Sequence, residues 1–305
     1  MALFNIENNK RLEPIKEQPF KLEKEIQDLT ERNLKTIFGL EFVKSEFSLN
    51  NFRIDTLAFD KDAGTFVIIE YKRDKNFSVI DQGYAYLSLM LNNKADFILE
   101  YNESSKETLK RNDVDWSQSR VLFISPSFTT YQKEAINFKD LPIELWEFKR
   151  YSNQTVNYNQ IKTSGSQESV KTISRQDETI EKVSKEIKVY TESDLLGKAT
   201  DDIKELYEQL KSAVLNFDGI EIKPRKHYVS FVSGSNILDI QIQKNALKIW
   251  LNMLQGELDD PKKIARNVAS VGHLGNGDYE ISLRTDEDLE YILSLVKQSL
   301  NKNKK

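Results

Sequence analysis

Residues 52–72 read FRIDTLAFDKDAGTFVIIEYK, and this stretch decides the fold of the N-terminal half. Phe52–Phe59 and Thr65–Lys72 have the composition of strands, and Asp60-Lys61-Asp62-Ala63-Gly64 between them has that of a turn. The second run is apolar on both faces from Phe66 to Ile69, as suits a central strand covered by helices on both sides. Centring the turn between Asp62 and Ala63 sets Asp55 opposite Glu70. The two-residue strand period then puts Glu70 and Lys72 on one face. Two carboxylates and an amine converge on one patch. Neighbouring carboxylates repel each other, and a hard divalent cation with oxygen ligands relieves the conflict. Magnesium held in this way keeps waters and takes up phosphate oxygens, so the pattern points to phosphodiester chemistry.

The flanking residues extend the same layout. Leu22, Ile26, Leu29 and Ile37 recur near helical spacing and predict a helix over Lys21–Ile37, closed by Gly39. Ser78 with Asp81 three residues on predicts a helix start, with the helix running to about Leu91. Ala95–Tyr101, Arg120–Ser125 and Ile143–Phe148 read as strands, and Tyr131–Asn137 as a helix. The alternation predicts an α/β domain with a mixed sheet and helices on its faces.

Beyond Tyr151 the hydrophobic pattern collapses, and no aromatic residue occurs between Tyr158 and Tyr190. This predicts a domain over residues 1–152, a polar linker over 153–189 with helical character near Asp177–Lys188, and a second domain over 190–305. In the second domain Asp201–Phe217 is an amphipathic helix. The β-like runs His227–Val232, Ile237–Gln243 and Ala246–Leu251 follow at hairpin spacing. A strand over Asp278–Arg284 and a helix over Asp286–Ser299 complete an α+β domain on an antiparallel sheet. The segment Gly272-His273-Leu274-Gly275-Asn276-Gly277-Asp278 has turn glycines, with His273 structural and Trp250 in the core.

Asp55 followed by Glu70-Tyr71-Lys72 resembles the signature of the PD-(D/E)XK superfamily, the restriction-endonuclease-like nucleases. The resemblance covers about Lys21–Tyr101 and includes Gln82 and Tyr86, which share one helix face at i, i+4. Ile54 stands where many members have proline. The resemblance implies a magnesium ion, with manganese as substitute, bound by Asp55, Glu70 and the Tyr71 backbone carbonyl. It implies an acidic ligand on the preceding helix as well. Glu25, at the margin of the buried helix face, is the first candidate, and Glu31, expected to face solvent, is the alternative. Lys72 would orient water or stabilise the transition state, and Gln82 would position phosphate or water. Arg53, Arg73, Lys75 and Tyr86 are candidate nucleic-acid contacts. From about Tyr190 onward, the chain resembles an uncharacterised domain that recurs behind such nuclease-like modules and also alone.

Composition excludes much else. The 305 residues include 44 basic and 48 acidic side chains, no cysteine, and two histidines, His227 and His273. Disulfides, thiolate zinc sites, iron–sulfur clusters and thiol nucleophiles are thereby ruled out. Carboxylates and lysines must carry any chemistry. No apolar run approaches the roughly 20 residues needed to span a bilayer, and the N-terminus lacks signal-peptide character, so a cytoplasmic location is expected. The expected function is metal-dependent hydrolysis of nucleic acid, DNA foremost, in repair or defence. The rival readings are a catalytically idle nucleic-acid-binding module and a protein-interaction module on a nuclease fold. A homodimer or protein partner would engage the C-terminal domain.

Overall fold

The apolar run Phe66–Ile69 forms the middle of β5 (Thr65–Tyr71), which is buried at every residue near the centre of a six-stranded mixed sheet. A computed structural model describes all residues except 1–2, 9, 74–77, 163–167, 171–176 and 304–305. By its internal contacts the chain divides into two units, Met1–Val189 and Tyr190–Lys305.

In the first unit, β1 (Phe4–Glu7) and β2 (Arg11–Pro14) pair as a separate hairpin. The main sheet then begins with β3 (Glu41–Leu49) and β4 (Phe52–Asp60), which lead into β5 as an antiparallel meander. Gly64, at φ 62°, turns the chain between β4 and β5 in a conformation that an L side chain would resist. β6 (Arg120–Ser125) and β7 (Ile143–Arg150) add in parallel, and β8 (Val156–Gln160) closes the edge antiparallel to β7. The sheet order is β3-β4-β5-β6-β7-β8.

Each face of the sheet carries its own core. Under α1 (Glu23–Glu31) and α2 (Leu34–Phe38) lie Ile26, Leu34, Ala58, Val67, Ile69 and Leu122. Under α3 (Val79–Asn92) and α4 (Lys94–Ser104) lie Leu57, Phe59, Phe66, Ile68, Leu87 and Phe97. The short helix α5 (Thr130–Ala135) links β6 to β7 and is held by a Thr129/Gln132 capping box. Because β5 receives both cores, its continuous hydrophobicity is a requirement of its position.

Three expectations need correction. The helix over Lys21–Ile37 breaks at Arg32–Asn33 into α1 and α2, and Gly39, at φ 72°, is the C-cap of the second. Ala95–Tyr101 is helical, within α4. Its buried residues Phe97, Ile98 and Tyr101 follow the i, i+1, i+4 spacing of a helix face, while Leu99 is exposed. The stretch 153–189 is not a polar linker where it is described. β8 lies in it, paired along its length with β7, and so does a helix over Glu178–Glu186. That helix lies against α3, and Val170, Ile180, Val183 and Ile187 join the core beneath it. The four apolar side chains are spaced too sparsely to read as a core segment, yet all four are buried in that core.

The second unit is a six-stranded antiparallel sheet in the order β13-β14-β12-β11-β10-β9. Its strands are β9 (Glu221–Pro224), β10 (Val229–Ser233), β11 (Ser235–Ile242), β12 (Leu247–Leu251), β13 (Arg266–Asn267) and β14 (Tyr279–Leu283). Helices over Asp201–Leu215 and Leu289–Asn303 share one apolar core with the sheet. The glycine-containing segment after Gly272 is structural. A Cβ on Gly277 would stand 2.0 Å from the Leu251 carbonyl oxygen, so only glycine fits. The Asn276 backbone N–H and side-chain amide both donate to Asp239, which is fully buried and also accepts from Ser230 and Asn236. Trp250 is buried as expected, and His273 is exposed. Among the described residues, no helix is long and apolar enough to cross a membrane.

The packing of residues 178–187 has a measurable consequence. Ile180→Ala should lower the stability of the first unit by about 2–5 kcal/mol, the cost of emptying a buried isoleucine site. Denaturant unfolding monitored on that unit checks it; a linker residue would show no change.

Candidate active site

The β4–β5 ladder runs as far as the rung Thr56↔Ile69. At the next position the Tyr71 backbone N–H donates to Asp55 Oδ2 at 3.0 Å. The carboxylate stands where a strand acceptor would otherwise be, so Asp55 is anchored at the point where the two strands part. Gln27, buried on α1, fixes the same place from behind. Its Nε2 donates to the Asp55 carbonyl oxygen at 2.7 Å and to Ser45 Oγ of β3 at 3.1 Å.

Glu70, one residue before that N–H, is only 3% exposed. Its Oε1 accepts from Lys72 Nζ at 2.6 Å and from Gln82 Nε2 at 3.1 Å. Its Oε2 is buried and has no hydrogen-bond partner. Gln82 is aimed by α3, which Ser78 caps through the Asp81 N–H. One turn further on, the Tyr86 hydroxyl accepts from Gln82 Nε2 at 3.1 Å and donates to the Arg53 carbonyl oxygen at 3.4 Å. Asp55, Glu70, Lys72 and Gln82 therefore meet at one end of β5.

Electrostatics mark the same spot. Burial, reinforced by the charge of Glu70, raises the Asp55 pKa to about 6. Burial also pushes the Tyr86 phenol above its ordinary range, so it acts as a neutral hydroxyl. A buried carboxylate oxygen without a partner beside a second, desolvated carboxylate is a donor set that suits a divalent cation. Among the described residues, however, no three histidine, aspartate or glutamate side chains stand close enough together to hold an ion.

Other expected residues lie elsewhere. Glu25 faces Arg150, with Oε2 at 3.7 Å from Nη1. Glu31 does not face solvent. It is half-buried and accepts from Thr56 Oγ1 at 2.6 Å and from Gln27 Nε2 at 2.9 Å, among side chains of the α1 face. Tyr86 is 5% exposed with its hydroxyl engaged, and so presents no surface to a nucleic acid. Arg73 donates from its guanidinium to the Lys21 carbonyl oxygen, and its N–H goes to Glu23 Oε1 at 2.6 Å. Arg53 is exposed and pairs through Nε with Glu46 Oε2 at 2.9 Å. Lys75 lies outside the described residues.

Two residues beside the site escaped the sequence reading: Gln27, bonded to the Asp55 carbonyl, and Glu46, whose charge acts on Asp55. Gln27 left no signal beyond its place next to Ile26 on the buried helix face. Glu46 did leave one, because Asn50-Asn51 is a tight-turn dipeptide. Counting back from a two-residue turn sets Glu46 across from Asp55.

Residues 191–302 match a family described as a domain of unknown function (DUF5655). An uncharacterised protein of Haemophilus influenzae is 55% identical over 291 residues, covering 95% of this chain and 96% of its own length. Three solved structures overlap more loosely. The chain is 18% identical to EndoMS in its complex with double-stranded DNA, with a TM-score of 0.27, over 43% of this chain and 47% of that one. A repair endonuclease from Pyrococcus abyssi is 22% identical, with a TM-score of 0.23, over 40% of this chain and 45% of that one. Pyrococcus furiosus SfsA, in complex with calcium, is 13% identical, with a TM-score of 0.24, over 45% of this chain and 61% of that one. The chain thus spans from under half to about three fifths of those structures.

The Asp55 environment predicts how stability follows pH without metal. Its folded pKa, about 6, lies above the ordinary value of 3.8, so the folded state holds the proton more tightly than the unfolded chain. The contribution of Asp55 to stability therefore falls as pH rises from about 4 to about 6 and levels off above. Asp55→Asn keeps an acceptor for the Tyr71 N–H and removes the buried charge. In chelator, it should be more stable than wild type by up to about 3 kcal/mol near pH 8, with the gain gone near pH 4. Thermal melts across that range check the expectation.

Proposed function

We propose that the chain, which belongs to the same family as the Haemophilus influenzae protein, is a metal-dependent nuclease. It would cleave phosphodiester bonds of nucleic acid, DNA foremost, in repair or defence, on a restriction-endonuclease-like N-terminal unit of the PD-(D/E)XK kind. One observation carries the reading: the Glu70 carboxylate is shared between Lys72 and Gln82 on one oxygen and bare on the other, beside the desolvated Asp55.

Each residue then has a task. Asp55 and Glu70 would hold a magnesium or manganese ion, with the Tyr71 carbonyl adjacent. When bound, the ion supplies a Lewis acid that offsets charge growing on phosphate oxygens and makes water a better nucleophile. Gln82, itself oriented by Tyr86, fixes the Glu70 carboxylate so that its bare oxygen keeps one direction. Lys72 brings a positive charge to the same carboxylate and would neutralise a phosphoryl oxygen as negative charge develops there. The Asp55–Tyr71 bond holds the two acids in fixed relation while substrate arrives.

The idle-module reading draws on the Lys72–Glu70 ion pair, which balances the two charges without a substrate. One experiment decides between them. Single-stranded, duplex and branched DNA, with RNA alongside, are incubated with the full chain in magnesium or manganese. Wild type should cleave at least one of them. Asp55→Ala should abolish cleavage, and Lys72→Ala should lower turnover on the order of 100-fold with little change in substrate binding. Binding without cleavage in every combination would establish the idle module.

A further inference from the structure

We propose that Phe52 and Tyr131 are base-stacking platforms on the two flanks of the Glu70 site, and that the substrate is a nucleic acid with unpaired bases there. The inference rests on the nuclease reading above and narrows its substrate class, which that reading leaves open between single-stranded, duplex and branched forms.

Topology brings the two rings to one end of the sheet. β5 and β6 run parallel, and the Lys72 N–H donates to the Ile124 carbonyl oxygen at 2.9 Å, so both strands end at the site. The chain leaving β6 there enters α5, of which Tyr131 is the second residue. α5 lies against α3, on the face of the sheet from which Gln82 reaches Glu70. β4 is antiparallel to β5 and so begins at this same end, with Phe52 as its first residue. Phe52 shares the α3 face with Ile54, two residues on, and its ring centre is 6.3 Å from that of Tyr86. The site thus has one aromatic residue beside it from each neighbour of β5. Those neighbours, β4 and β6, lie about 10 Å apart, a distance that about three stacked nucleotides cover.

Exposure separates these rings from the packed ones. Among the described residues four aromatic side chains are exposed, Phe4, Phe42, Phe52 and Tyr131, and two of the four flank the site. Tyr131 is 89% exposed, although a capping box and the Lys133–Glu147 ion pair fix the helix that carries it. Phe52 is 43% exposed, while Tyr86, which it meets edge-on, is buried and orients Gln82. Both rings are therefore held by ordered elements and still offer surface to a partner. The partner follows from the chemistry around them. Every base has a π face, and that face is free only where the base is unpaired, so aromatic platforms select single-stranded or splayed segments. Arg53, 67% exposed beside Phe52, and Lys72, between the two flanks, bring positive charge to the path of a phosphate backbone.

Fluorescence polarisation of the full chain with labelled oligonucleotides, in chelator to withhold the metal, tests the proposal. Single-stranded DNA should bind more tightly than its duplex. Phe52→Leu and Tyr131→Leu keep apolar side chains without rings, and each should weaken single-strand binding about tenfold. Phe52→Trp and Tyr131→Phe keep a ring and should bind like wild type. A strand of abasic deoxyribose phosphates should bind wild type and the leucine variants alike, because it has no base to stack. Leucine variants that bind single strands as wild type does overturn the proposal and leave the nuclease reading standing. So does an equal loss on the abasic strand, which marks a backbone contact, and so does a duplex bound more tightly than the single strand. Failure of wild type to bind any nucleic acid removes the nuclease reading and this proposal together.

Discussion

A backbone N–H that donates to a carboxylate instead of a strand carbonyl is the constraint on which the N-terminal unit turns. Tyr71 has Asp55 as its acceptor, and so β4 and β5 end their pairing with an acid fixed between them. Everything nearby serves that arrangement. β5 must be central, because only there can helices on both faces shield the acids from water. Gln27 must be buried, because the Asp55 carbonyl on the other side of the same residue needs a donor. The sheet meets the demand with one amide from α1 and another, Gln82, from α3.

Such an arrangement concentrates unfavourable charge. Asp55 is desolvated beside Glu70, and Glu46 adds its field. The fold tolerates this because the rest of β5 is buried among aliphatic and aromatic side chains that tolerate no competing geometry. Lys72 and Gln82 remove part of the strain by taking one Glu70 oxygen, and leave the other buried without a partner. Stability is thereby given up at one point, which is the usual mark of a site prepared for a ligand.

How far the sequence discloses this depends on whether a residue acts through spacing or through contact. The β4–β5 hairpin was legible because strand period and turn composition determine each other, and they set Asp55 against Glu70 without any tertiary information. Gln82 and Tyr86 were legible as a helix face, but the bond from the Tyr86 hydroxyl to the Arg53 carbonyl was not, since it depends on how α3 packs on β4. Ala95–Tyr101 misled because a short apolar run suits a strand or a helix equally, and only packing against β3 decides. Helical character near Asp177–Lys188 was legible, but the packing of the helix at Glu178–Glu186 was hidden for the opposite reason. Its polar residues dominate the composition, while two valine and isoleucine side chains do the packing.

That late helix bears on how the chain is made. The sheet of the first unit is complete at Gln160, but the α3 face stays uncovered until Ile187 has been added. Tyr190, where the second unit begins, follows almost at once. During synthesis the first unit therefore cannot close its hydrophobic core until nearly its last residue has left the ribosome. Until then the apolar face of α3 is a surface open to aggregation in the translating chain.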